Sequence, residues 1–327
     1  MAGTGVRDDQ MSFTGIDAVT FGVSDLAEAK RFLDDWGTSL VSATEERLAY
    51  TTKDGGEVVV RPLSDPTLPK GIEPGNTVVQ VVWGAADEAS LDATIARFMA
   101  AGIEPCFDEE GKAWVVDPNG LSVAMRVSQR RKISVTPTPA NGPGAPNRID
   151  QRSPVYDHAE PAKIGHVVLF ANDFAAMRAF YTELMGFTIS DEYPGHGVFL
   201  RCQVRGEHHN LFILNRPGKP GVNHVAFTVS DIHEVIGGGI AMSKKGWKTE
   251  IGPGRHPISS AYFWYFHNPL GAPVEYYADD DYCTEAWKAE TFVRKPELFA
   301  EWAIAGGIDG TTRRQVVAID NSGRGHA

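Results

Sequence analysis

Two stretches of this chain share one pattern of apolar and polar positions. Residues 16–32 read IDAVTFGVSDLAEAKRF and residues 164–180 read IGHVVLFANDFAAMRAF. Each opens with apolar residues at every second position, which predicts a strand. An aspartate able to cap a helix follows. Apolar positions three and four apart then run up to a phenylalanine, which predicts an amphipathic helix. Weaker copies begin at Val78 (VVQVVWGAAD) and Val222 (VNHVAFTVSD). In all four copies the capping residue (Asp25, Asp87, Asp173 or Asp231) stands seven places after one strand position.

Strand-like runs follow the helices, at Glu57–Val60, Trp114–Val116, Gly197–Cys202 and Asn210–Leu214. The second and fourth copies close on similar turns, DPNG at Asp117–Gly120 and NPLG at Asn268–Gly271, each leading into a last strand. Repetition on this scale sets the architecture. The pattern predicts an α+β fold of four βαβββ modules paired into two domains, each an open mixed-sheet barrel with outer helices. The expected division is a flexible arm at 1–12, a first two-module domain at 13–133 and a linker at 134–163 rich in Pro, Gly, Asn and Ser. A second two-module domain follows at 164–277. The tail, 278–327, either covers the mouth of the second domain as a lid or packs as a C-terminal helix.

Composition narrows the partners. A formal charge of -11 over 327 residues argues against nucleic acid and against an anionic membrane surface. Cys106, Cys202 and Cys283 are far apart and form no CxxC pair, which suits a reducing cytoplasm rather than a disulfide framework. The N-terminus has no apolar secretory core, and no apolar run approaches the roughly 18 residues of a membrane span.

The chemistry is confined to one half. All ten histidines lie at or beyond His158. With the copies in register on the capping aspartate, His166 falls opposite Ala18 and His224 opposite Gln80. Registering the two turns places Glu275 opposite Ala124. A lone strand histidine is usually a hydrogen-bonded core residue. Two histidines at one register of related modules, however, would face each other across a pseudo-symmetric cup, and Glu275 at the close of the last strand would complete the set. Two imidazoles and one carboxylate with open positions are the ligand set of a non-haem ferrous site. A buried carboxylate is costly unless a cation meets it.

The run from Gly254 to Glu275 is the most specific motif in the chain. It reads GRHPISSAYFWYFHNPLGAPVE: G-x-H, then an apolar residue and Tyr, then x-x-N-P-x-G-x-x-x-E. Trp264 stands where an aliphatic residue or Phe is usual. On these residues the chain resembles the type I extradiol ring-cleavage dioxygenases of the vicinal oxygen chelate superfamily, over about residues 13–300. The resemblance implies Fe(II), with Mn(II) also acceptable to the same donors, held by His166, His224 and Glu275. It implies a catecholic substrate, O2 as co-substrate and a homo-oligomer. It implies His209, the second residue of a His-His pair, as acid–base, with His256 and Tyr265 as donors to the substrate oxygens.

Alternatives remain open on the same scaffold: a metal-free ligand-sequestering protein, or a glyoxalase-like metal-dependent isomerase or transferase. His208 is expected to face away from the site, and His196, His233 and His267 to be surface or packing residues. Trp264, Phe266, Phe199 and Phe212 either line a ring pocket or fill the core. Arg201, Arg205, Arg255 and Arg313 are candidates for a substrate carboxylate.

Overall fold

The computed structural model describes residues 13–109 and 111–308. The expected arm at 1–12 and the end of the tail at 309–327 lie outside the described residues.

The first half contains β1 (Phe13–Val23), α1 (Leu26–Trp36), β2 (Ser39–Ala43), β3 (Leu48–Thr51) and β4 (Glu57–Pro62). It repeats with β5 (Thr77–Ala85), α2 (Glu88–Ala100), β6 (Cys106–Phe107), β7 (Ala113–Val116) and β8 (Ser122–Val127). The second half opens with β9 (Lys163–Ala171), α3 (Phe174–Ala179), β10 (Thr188–Tyr193), β11 (Gly197–Arg201), β12 (Gly206–Glu207) and β13 (Leu211–Asn215). It continues with β14 (Gly221–Thr228), α4 (Ile232–Lys244), β15 (Thr249–Arg255), β16 (Tyr262–Phe266) and β17 (Val274–Ala278). The tail adds β18 (Tyr282–Cys283), β19 (Glu290–Thr291) and β20 (Trp302–Ala305).

Each half is built on one large mixed sheet. The first has the order β2-β3-β4-β1-β5-β8-β7-β6 and the second β19-β10-β11-β13-β9-β14-β17-β16-β15-β20. β12 pairs with β18 in a separate two-stranded sheet. Two modules meet in each sheet through their first strands, β1 with β5 and β9 with β14, both antiparallel. The last strand of every module lies parallel to its first, as in β1–β4 and β14–β17. The α+β class expected from the repeat is therefore the observed one.

Local chemistry explains the helices. The four aspartates cap them as the spacing predicts. Asp25 accepts from Glu28 N at 2.9 Å, Asp87 from Ser90 N at 2.8 Å, and Asp173 and Asp231 from Ala176 N and Glu234 N at 3.0 Å. Each cap contributes about 1 kcal/mol. α1 buries Ala29, Phe32, Leu33 and Trp36, a stripe three and four residues apart. Gly37 ends it at φ 87°, and a Cβ there would sit 1.9 Å from the Ala159 carbonyl oxygen, so only glycine fits.

The halves are locked by aromatic packing. Trp36 stacks on Tyr276 with ring centres 3.6 Å apart, and the Tyr276 hydroxyl donates to Trp36 O at 2.6 Å. The tail clips onto both edges of the second sheet: β19 pairs with β10 and β20 with β15. A packed C-terminal helix is not found among the described residues. The tail's one helical piece there is a short 3-10 turn at Pro296–Leu298. Extended pairing to open sheet edges satisfies its backbone instead.

Candidate metal centre

His166, His224 and Glu275 sit on three adjacent strands, β9, β14 and β17. The register explains why they meet. Ala226 pairs with His166 on one side and with Glu275 on the other, and His224 lies two residues before Ala226. Directly paired residues, and residues two apart on one strand, share a face of the sheet. All three side chains therefore rise on one side, around the small side chain of Ala226.

Their donor atoms form a nearly equilateral triangle. The Nε2 atoms of His166 and His224 are 3.1 Å apart, and Glu275 Oε2 is 3.2 and 3.1 Å from them. The three residues are 4, 8 and 1% exposed. Metal bonds of about 2.1–2.2 Å at right angles give an octahedral face with edges of about 3.0–3.1 Å. Two orphaned atoms add to the case: His166 Nδ1 and Glu275 Oε2 are buried without an aligned hydrogen-bond partner. His224 Nδ1 lies 2.6 Å from Asn223 Oδ1, an acceptor, so its Nε2 carries the lone pair. The donor set and its geometry fit a divalent cation.

Electrostatics agree. Burial alone would raise the Glu275 carboxyl, but His166, His224 and His256 with protons turned toward it would hold it well below the usual range; with those rings neutral, a bound cation would take that place. Burial lowers His166 and keeps it neutral, as a ligand must be.

The other expected residues gather beside the triangle. His209 precedes β13, and its ring centre is 4.3 Å from that of His166. Burial, then the neighbouring His166 and His208, push it well below its ordinary value, so it is neutral near pH 7. Tyr265 on β16 pairs with Glu275, and its ring centre is 5.0 Å from that of His224. Burial first, then Glu275, raise its phenol well above normal. His256 Nδ1 lies 2.5 Å from the Phe299 carbonyl oxygen and Nε2 3.2 Å from the Tyr265 hydroxyl. A carbonyl only accepts, so Nδ1 carries the proton and Nε2 accepts from Tyr265.

These groups floor a cavity of about 660 Å³. Its walls are Tyr193, Phe199, Phe212 and Ile258, and the tail contributes Leu298 and Phe299. Strand alternation settles the aromatic candidates. Trp264 and Phe266 turn into the core, where Trp264 covers Gly239 and donates to Thr249 Oγ1 at 2.8 Å. Phe199 and Phe212 turn into the cavity, stacked 3.8 Å apart.

His208 is outside the cavity lining, His196 stands exposed at its mouth, and His233 and His267 are exposed. Of the arginine candidates, Arg201 is spent on backbone carbonyls, Arg205 pairs with Glu285 and Arg255 with Glu301. None of the three lines the cavity, and Arg313 lies outside the described residues. The cations that do line it, Arg294 and Lys295, come from the tail. Pattern reading missed them because the tail carries no repeat signal.

Comparison with known proteins agrees with this picture. The profile of the Glyoxalase/Bleomycin resistance protein/Dioxygenase superfamily matches residues 163–276. Metapyrocatechase 2 of Cupriavidus necator is 30% identical over 294 residues, covering 88% of each chain. The 3-methylcatechol 2,3-dioxygenase of Pseudomonas putida is 30% identical over 123 residues, 35% of this chain and 40% of that one. Among solved structures, homoprotocatechuate 2,3-dioxygenase from Arthrobacter globiformis superposes with a TM-score of 0.68 at 18% identity, covering 96% of this chain and 95% of the other. The Mn(II)-bound glyoxalase from Novosphingobium aromaticivorans does so with 0.70 at 25%, covering 91% and 93%. The chain belongs to the extradiol dioxygenase family within the glyoxalase, bleomycin resistance and dioxygenase superfamily.

Proposed function

We propose that this protein is an extradiol dioxygenase that inserts both atoms of O2 into a catechol or substituted catechol and opens the ring beside the diol. The observation that carries this is the buried triangle of His166, His224 and Glu275 beneath an aromatic-walled cavity. His166, His224 and Glu275 would hold Fe(II), with Mn(II) the alternative ion. When bound, such an ion would supply the unpaired electrons that let a spin-paired diol react with triplet O2.

The chain's own groups would do the rest. Neutral His209 would take a proton from the diol hydroxyl on its free ring nitrogen and return it when the oxygen–oxygen bond breaks. The Tyr265 hydroxyl, turned from His256 Nε2 to the substrate, would stabilise the charge on the second diol oxygen. The aromatic walls would hold the ring by its faces. Leu298 and Phe299 would keep water from the reacting atoms.

Anaerobic loading with Fe(II), then a panel of catechols and air, tests the proposal. Uptake of one O2 per catechol with a yellow ring-opened product is expected. Binding of catechol with neither oxygen uptake nor product, at full metal occupancy, would overturn it. The likeness to an Mn(II)-bound glyoxalase supports a second possibility, metal-dependent isomerisation. It is separated by giving the Mn(II) form a thiol adduct of an α-ketoaldehyde, which needs no oxygen.

A further inference from the structure

A second row of buried polar groups lies behind His209, outside the cavity. His209 Nδ1 is 3.2 Å from His208 Nδ1, and His208 Nε2 is 2.8 Å from Asp191 Oδ2. The other carboxylate oxygen, Asp191 Oδ1, accepts the backbone N–H of Glu290 at 2.7 Å. Asp191, His208 and His209 are 4, 0 and 6% exposed. Glu290 belongs to the tail, where it pairs with Asp191 across β19 and β10, and Trp287 Nε1 fastens the same segment to Ser190 O at 3.0 Å.

The donor and acceptor inventory allows one assignment of protons along this row with His208 neutral. A carboxylate only accepts, so His208 must present its N–H at Nε2. Its Nδ1 is then a lone pair, and the bond to His209 needs the proton on His209 Nδ1. The opposite nitrogen of His209, on the side away from His208, is left without a proton. A general base requires that state.

We propose that Asp191 is a positioning residue which, through His208, fixes the His209 proton on Nδ1 and leaves Nε2 as the base atom. The tail takes part, because Glu290 holds Asp191 in place. The consequence for turnover rests on the dioxygenase function proposed above; the tautomer itself does not.

Asp191→Asn tests this with little change of shape. The single amide oxygen is claimed by the Glu290 N–H, so the amide NH2 faces His208 Nε2. A donor there moves the His208 proton to Nδ1 and the His209 proton to Nε2. In metal-free protein labelled with 15N-histidine, wild-type His209, assigned by its loss in His209→Gln, is expected to show the Nδ1–H pattern. Asp191→Asn is expected to show the Nε2–H pattern. With Fe(II) and catechol, kcat should fall about 10²-fold with KM within about twofold and metal content unchanged.

The wild-type spectrum decides the matter even if the variant does not fold: a proton on Nε2 of wild-type His209 overturns the proposal. A folded Asp191→Asn protein with wild-type kcat also overturns it. A wild-type Nδ1–H tautomer in a protein that cleaves no catechol supports this assignment and sinks the dioxygenase function instead.

Discussion

The two halves of this molecule are one scaffold used in two ways. By strand register Ala18 occupies the place of His166, since each pairs across the sheet with the centre of the partner strand, Val82 or Ala226. Gln80 stands for His224, Ala124 for Glu275 and Trp114 for Tyr265. In the first half Ala18, Val82 and Ala124 close into a small apolar cluster with Trp114 against it. The cavity above them is the larger of the two, about 1350 Å³ against 660 Å³. Several of its charged groups pair with one another or with a buried neighbour: Arg126 meets Glu57 at 2.7 Å and Asp17 at 3.1 Å, Lys112 meets Asp108 at 3.0 Å, and Arg61 pairs with Asp65. The second half instead holds a buried carboxylate oxygen with no donor. Cavity size therefore says little about chemistry here; an unbalanced buried charge says more.

The largest way to break this contrast is to erase the second cup. Glu275→Ala or His166→Ala should lose metal and lower turnover by more than about 10⁴-fold, since the donors and the ion act as a unit. Metal analysis and oxygen uptake on the same sample check it, and full occupancy in either variant would contradict the ligand assignment.

The converse substitution builds one donor into the first cup. Ala124 is fully buried, so Ala124→Glu should cost about 3–5 kcal/mol in chemical denaturation, the penalty of a buried charge without a partner. Adding Ala18→His and Gln80→His should make stability depend on Mn(II) or Zn(II). No response of Tm to either metal in the triple variant would mean that register alone does not make the site.

A smaller effect separates holding metal from moving protons. His209→Asn should keep the ion and lower kcat by about 10²-fold. Wild-type turnover in that variant would remove His209 from the mechanism.

The smallest compares the two equivalent turns, where Asp117 in the first half stands opposite Asn268 in the second. Burial pushes the Asp117 carboxyl up to about 6 from an ordinary 3.8, although Leu121 N, the Tyr181 hydroxyl and Asn119 N donate to it. A folded value above the unfolded one means stability that is full below about pH 3.8 and lost as pH rises through about 6. Asp117→Asn should remove that loss, so from pH 4 to pH 7 the variant should gain on the parent by about 1–3 kcal/mol. Unfolding midpoints at the two pH values measure it. A gap that stays constant would place the Asp117 carboxyl in its ordinary range.

Much of the architecture was legible along the chain because its signals are local. A capping aspartate acts on an amide three residues away, and alternation describes neighbours on one strand, so four modules could be counted without coordinates. The confinement of histidine to one half likewise needed no structure. Parity puts Trp264 and Phe266 on the strand face opposite Tyr265, and only the fold decided that the core lies on their side, because either face of a strand can meet a core. Sequence alone therefore determined the repeat, the class and the short roster of donors. Tertiary pairing decided that three donor atoms come within 3.2 Å of one another, that Asp191 stands behind His208, and that the carbonyl of Phe299 turns His256. Those contacts join residues from 17 to 109 positions apart (His208 and Asp191; His166 and Glu275), and only strand register and an edge-bound tail bring such positions together.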